Sequence, residues 1–216
     1  MDKGALYQLS YGVYILGTKQ GEKMGGCVVN TVTQVTSKPA RVTTAISKDN
    51  ATHDVVLSTG MYTAAILGQD ATMELIGQFG FKSSRDIDKF QGVHYELDSR
   101  GIPYVTDSVL AVLSCRVIET LDLGSHTLFI SEVEDAKVLA KGEPMTYAYY
   151  HAVKGGTAPK AAPTYREEYA TATPAEQPKA KGWKCSICGY IHPEDTFPEG
   201  FECPICGQPK EVFVKL

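Results

Sequence analysis

Two cysteine pairs, Cys185/Cys188 and Cys203/Cys206, stand as C-x2-C-x14-C-x2-C near the end of a chain of 216 residues. No other feature constrains the chain as strongly, because two CxxC turns facing one another make a tetrahedral set of four sulfurs. Such a set suits Zn(II) or a single Fe. The other two cysteines, Cys27 and Cys115, stand alone in apolar runs and read as small core residues. This is not the disulfide framework of a secreted scaffold, so the expected compartment is a reducing cytoplasm.

The neighbours of the cysteines argue for redox chemistry. Gly189 and Gly207 follow the two pairs. Glycine tolerates positive φ, which lets backbone N–H groups turn back toward sulfur. Hydrogen bonds to sulfur tune the potential of an iron–thiolate centre. Trp183, Tyr190, Phe197 and Phe213 would jacket the site with rings, or simply form the core of a small domain.

Residues 155–182 hold four prolines and seven alanines but no Val, Ile, Leu or Phe. They cannot bury enough to fold alone and are expected to link a domain at 1–154 to one at 183–216. A flexible chain of 28 residues has a mean span of about 30 Å. The net charge of −4, with no basic cluster, argues against a nucleic-acid partner. No apolar run is long enough for a membrane span, and the first twenty residues alternate polar with apolar like folded protein.

The large domain reads as mainly β. Strands are expected over 11–18, 27–35, 41–47, 61–68, 109–120 and 126–139, where β-branched and aromatic runs are bounded by turn residues. Helices are expected after Asn50 and Asp70, each placed to accept from a first turn. Strands and helices do not alternate regularly, which points to a barrel and away from a doubly wound sheet. No GxGxxG follows a strand, so a Rossmann domain is not expected.

Two polar segments are candidate binding elements. Ser47 and Lys48 end a strand, and Asn50, Thr52 and His53 open a helix. Hydroxyls, an ammonium and free N–H groups there would meet a phosphate. Asn30, Thr31, Val32, Thr33 and Gln34 come before them in the chain and would meet the polar edge of a ring, although a Thr-rich strand face is common in its own right.

WKCSICGY followed by CPICGQPKEVF resembles rubredoxin over 183–216, which implies one iron held by the four cysteines. The gap between the pairs is shorter than in free-standing rubredoxins and is similar to the rubredoxin-type domain of rubrerythrins. The ordered segments from YGVYILGT to YTAAILG, with FGFKSSRDIDKF and MTYAYYHAVKGG, resemble the flavin reductase-like family over about 3–156. That resemblance implies an FMN-binding split β-barrel with short helices, a homodimer, and NADH or NADPH as hydride donor. It places residues 30–34 along the flavin ring and Ser47, Lys48, Asn50, Thr52 and His53 about ribityl and phosphate. Lys82 and Arg85 fall in the family's variable lid, and His151 falls near the nicotinamide.

The two domains in this order imply a reductase that passes electrons through FMN and iron to a flavodiiron protein, which reduces O2 or NO. No side-chain catalytic base is expected. Two alternatives stay open from the sequence: a flavin reductase that releases reduced FMN to a partner enzyme, and a non-enzymatic ligand-binding module with a zinc clip.

Overall fold

The computed structural model describes residues 3–154, 156, 182–194 and 196–215. Except for Gly156 and Gly182, the expected linker at 155–182 lies outside the described residues.

Seven strands form one sheet: β1 Tyr14–Gln20, β2 Lys23–Val29, β3 Thr33–Ser37, β4 Ala40–Ser47, β5 Met61–Leu67, β8 Val109–Asp122 and β9 His126–Val138, in the order β2-β1-β5-β8-β9-β4-β3. A separate hairpin pairs β6 Tyr95–Leu97 with β7 Pro103–Val105. The sheet curls until β2 and β4 touch, and α1, Ala51–Thr59, packs against β1, β2 and β4.

Burial explains the sequence patterns. In β4, Val42, Thr44 and Ile46 are buried and alternate with less buried residues, the mark of a strand with one covered face. β5 is buried almost throughout, because both of its faces are covered. Ala64 joins Leu16, Tyr62 and Phe129 in one core, inside the curl. Ala65 joins Ile15, Ile76, Phe79 and Met145 in a second core on the outside. That outer core packs α2, Met73–Gly80, and α3, Tyr147–Ala152, onto the sheet. Within the curl, the buried Tyr62 hydroxyl donates to Ser131 Oγ at 3.0 Å and lies 3.1 Å from Thr44 Oγ1.

The structure corrects several expectations. The strand expected over 27–35 is two, because the chain turns at 30–32, where Thr31 Oγ1 donates to Ala45 O and accepts from Ala45 N–H. The helix expected after Asp70 begins later, capped by Thr72, whose hydroxyl accepts from Leu75 N–H at 3.2 Å. Asn50 does cap α1, accepting from Thr52 N–H at 3.0 Å. The tyrosine-rich segment, whose sequence reads as a strand end, is instead the helix Tyr147–Ala152, and β6 and β7 were not anticipated. Thr72→Ala is expected to cost about 1 kcal/mol of stability. Asp70→Ala should stay within about 0.5 kcal/mol, and urea melts of the two variants check the difference.

The far end of α2 is also tied down. The Lys89 ammonium, almost fully buried, donates to the carbonyls of Gln78 at 2.6 Å, Phe79 at 3.1 Å, and Lys82. Carbonyls at a helix C-terminus lack intrahelical partners, and a cation there also suits the dipole. Burial draws the ammonium down to about 8, so at neutral pH it still carries its proton.

Candidate functional site

The four paired cysteines come together. β10 Trp183–Cys185, β11 Ile191–His192 and β12 Phe213–Lys215 form a small sheet in the order β11-β10-β12. Two matching turns leave it. Gly189 N–H donates to Cys185 O at 2.9 Å, and Gly207 N–H donates to Cys203 O at 2.8 Å. Both glycines hold left-handed φ, 80° and 71°, which a side chain would resist. Sγ of Cys185 lies 3.7 Å from that of Cys206, Sγ of Cys188 lies 3.5 Å from that of Cys203, and all four are within 4.8 Å of one another. Metal–sulfur bonds of about 2.3 Å in a tetrahedron set sulfurs about 3.8 Å apart, so the set fits one ion.

Backbone N–H groups are aimed at the sulfurs, as Gly189 and Gly207 led us to expect. Those of Ile187 and Cys188 bear on Cys185, that of Tyr190 on Cys188, and that of Gln208 on Cys206. The Cys188 side chain first, and these amides after it, draw the Cys185 thiol well below its ordinary value. Cys188 is pushed up, chiefly by that same partner, and burial pushes Cys206 up as well. Four crowded, buried thiols lose their protons together only when a cation joins them.

The expected rings surround the site. Phe197 lies 5.3 Å from Trp183 and 5.2 Å from Phe213, and Tyr190 meets Phe213 edge-on. Phe201 and His192 complete the jacket, with His192 stacked 4.9 Å from Phe197 and hydrogen-bonded through Nε2 to Thr196 O. Neither had been singled out from the sequence.

The remaining cysteines are core residues. Burial pushes Cys27 up to about 11 and Cys115 up to about 12, where a thiol reagent finds almost no thiolate. Titration of the native metal-loaded protein with an aromatic disulfide at pH 8 should therefore detect no thiol within minutes. Stripping the metal should expose four, and denaturation all six.

The two polar segments lie side by side at one end of β4. β3 and β4 pair with Thr33 opposite Thr43, so residues 30–32 run beside Thr44–Ile46, just before Ser47. Asn30 is buried and Val32 packs on the inner core, whereas Thr33 and Gln34 are exposed. Beyond Ser47, Lys48 Nζ meets Asp122 Oδ1 at 2.7 Å. The Thr52 hydroxyl is buried beside the Cys27 thiol, with no nitrogen or oxygen partner.

His53 is nearly buried. Its Nδ1 lies 3.0 Å from Asp54 Oδ1 and its Nε2 lies 2.8 Å from Thr127 Oγ1. Both ring nitrogens are thus engaged by the protein, and His53 presents the helix start more than a free donor. Arg85 comes to this place from the segment after α2, donating from Nη1 to Asp49 O at 3.1 Å and from Nη2 to Asp54 Oδ2 at 3.4 Å. His53 first, then Arg85, holds the Asp54 carboxyl below the usual range. Lys82 stands three residues before Arg85, and its carbonyl accepts from Lys89.

Amide, hydroxyl, guanidinium and ammonium groups thus collect about the start of α1, a donor set that fits a phosphate. Asp122, Thr127 and His126, which is paired across from Ser47, share this corner and went unnoticed in the sequence. They sit more than seventy residues away and are delivered by the β8–β9 hairpin. His151 has other neighbours: its ring is 4.3 Å from Tyr147, edge-on, and its Nδ1 donates to Gly156 O at 2.7 Å.

Residues 6–156 match the model of the flavin reductase like domain, and residues 183–214 match that of the rubrerythrin, rubredoxin-like domain. The whole chain is 42% identical to the whole of a high molecular weight rubredoxin from Moorella thermoacetica. It is 41% identical, over 77% of its length and 99% of the relative's, to a ferric-chelate reductase (NAD(P)H) from Archaeoglobus fulgidus. Among solved structures, the flavin reductase PheA2 in its native state aligns with a TM-score of 0.57 and 27% identity, over 67% of this chain and 89% of that one.

Proposed function

This chain belongs to the flavin reductase-like family and carries a rubredoxin-like domain behind it, and from that premise we propose that it is a reductase moving electrons from NADH or NADPH through FMN to its own Fe(Cys)4 centre. The coarse frame is an oxidoreductase and electron-transfer flavoprotein with FMN and iron. The nicotinamide donor, the iron as first acceptor, and a flavodiiron protein as the onward acceptor are our proposal. One observation carries it: four buried thiols within 4.8 Å of one another, surrounded by amides aimed at sulfur, lie in the same chain as a flavin reductase-like domain.

FMN supplies hydride uptake and release of single electrons, and iron held by four thiolates takes one electron at a time. The chain's task is to bind and orient. We assign Asn30, Thr31, Val32, Thr33 and Gln34 to the ring, with Thr31 pinning the segment to Ala45. Ser47, Lys48, Asn50, Thr52, His53, Lys82 and Arg85 are assigned to ribityl and phosphate, with His53 acting through the fixed start of α1. Alignment, not proton abstraction, is what hydride transfer requires. His151 remains a candidate for the nicotinamide side.

Dimerisation is part of the proposal. The β8–β9 hairpin extends beyond its covered half, leaving Ile118, Leu121 and Leu123 38%, 54% and 52% exposed, the kind of apolar face that an identical subunit covers. No helix among the described residues is long and apolar enough to cross a membrane, and we place the enzyme in the cytoplasm on the strength of its free cysteines.

Anaerobic stopped-flow mixing with NADH tests the proposal, with flavin and iron–thiolate bands followed separately. Flavin should bleach first and iron should follow at a rate independent of protein concentration. Bleached flavin beside lastingly oxidised iron would refute the relay and favour a reductase that releases its reduced flavin. Repeating the mixing with NADPH assigns the donor.

A further inference from the structure

The second chelate turn of the iron domain rests on α2. Ile205, the residue before Cys206, is only 8% exposed. Its Cγ2 and its carbonyl oxygen lie 2.4 Å and 2.8 Å from where a Cβ on Gly77 would stand. Met73 and Phe81 pack against the same cluster of cysteines. Residues four apart share a helix face, so 73, 77 and 81 form one stripe along α2 and its C-cap, while Leu75, Ile76 and Phe79 belong to the outer core. The matching residue of the first chelate turn, Ile187, is 39% exposed.

We propose that the Met73–Gly77–Phe81 stripe is the platform on which the chain's own iron domain docks to receive electrons, with Ile205 as the seated residue and Gly77 as the position that must carry no side chain. The contact is at the chelate turn itself, so it brings the metal's own ligand loop against the flavin domain. The platform also connects to the candidate flavin site through a short, anchored segment. Four residues beyond Phe81, Arg85 bonds Asp49 O at the start of α1, and Ser84 Oγ accepts from Gly26 N–H at 3.3 Å. The electron-transfer half rests on the function proposed above. Its balance is NADH plus two ferric centres giving NAD+, one proton and two ferrous centres, so each docking passes one electron.

The test uses the full-length, FMN- and iron-loaded protein with 13C-labelled methionine methyls. Ferric iron should broaden the Met73 methyl signal beyond detection, and zinc in the same site should restore it. Gly77→Leu should recover the Met73 signal in the ferric protein while keeping the iron–thiolate and flavin bands. Leucine is the better helix former, so α2 itself does not suffer. In the same variant, iron reduction after mixing with NADH should slow at least tenfold, with flavin reduction unchanged. Val214→Ala, at an exposed position on the iron domain's own sheet, should resemble the wild type in both.

A Met73 methyl equally sharp with ferric iron and with zinc would overturn the docking. A recovered signal with iron still reduced at the wild-type rate would overturn the loading role. If NADH fails to bleach the wild-type flavin, the function proposed above fails, and the methyl signal still decides the docking.

Discussion

Cys188→Ser is expected to remove the iron centre and leave the flavin domain working. Serine keeps the size of the side chain but offers a hydroxyl whose proton is far harder to lose than a thiol's, so one corner of the tetrahedron is gone. Metal binding at such sites is also folding free energy for a small domain, and losing a ligand weakens both at once. Iron content after gel filtration should fall at least tenfold and the iron–thiolate band should vanish. NADH should still bleach the flavin at the wild-type rate. Cys27→Ser is the contrast: Cys27 is buried in the inner core beside Thr52, and its loss should leave the iron band intact. A Cys188→Ser protein that kept stoichiometric iron would show that the four-sulfur set is not the metal site.

Gly17→Ala should be the most damaging single methyl in the sheet. Gly17 sits in the middle of β1, paired with Gly26 on one side and Thr63 on the other. A Cβ there would fall 1.8 Å from Pro103 O and 2.6 Å from Thr63 Oγ1. The obstacle is main chain, and it is held in place: Thr63 Oγ1 donates to Pro103 O at 2.7 Å, deep in the protein. No rotamer relieves the clash, so β7 must move off the sheet and that buried hydrogen bond must stretch. The expected cost is about 3 kcal/mol or more, which lowers the melting temperature of a domain this size by roughly 10 °C. Calorimetry measures it. A melting temperature within 2 or 3 °C of wild type would mean that β7 is free to shift.

What was readable in the sequence follows the range of the interaction. Each chelate turn is set by a few consecutive residues, so the metal site and the amides at its sulfurs could be read from spacing and two glycines. β4 and β5 could both be read as β-branched and aromatic runs between turn residues, because those residues are what a covered sheet selects on each strand separately. Where the deciding contact is distant, the pattern misled. Nothing in CVVNTVTQV marks the break after Val29, which depends on the Thr31 side chain bonding to Ala45 on the neighbouring strand. The start of α2 was missed for a local reason: Asp70 and Thr72 are both good caps two residues apart, and the Leu75 N–H bonds to the second. His53 read as a donor for an anion, yet Thr127 and Asp54 take both of its nitrogens. Glycine is a poor helix former, and the residue that requires it at position 77 lies 128 positions further along the chain.

A chain synthesised faster than iron reaches it is left sticky. The small domain has little interior apart from four thiols and a handful of rings, and without metal those thiols have nothing to share. Phe81, and the side of Met73 that does not face the outer core, then lie uncovered along a helix that is otherwise finished, pinned at one end by Thr72 and at the other by Lys89. Iron supply during growth should therefore govern how much of the protein stays in solution, and iron-starved preparations should clump through the uncovered stripe on α2, even with every thiol kept reduced.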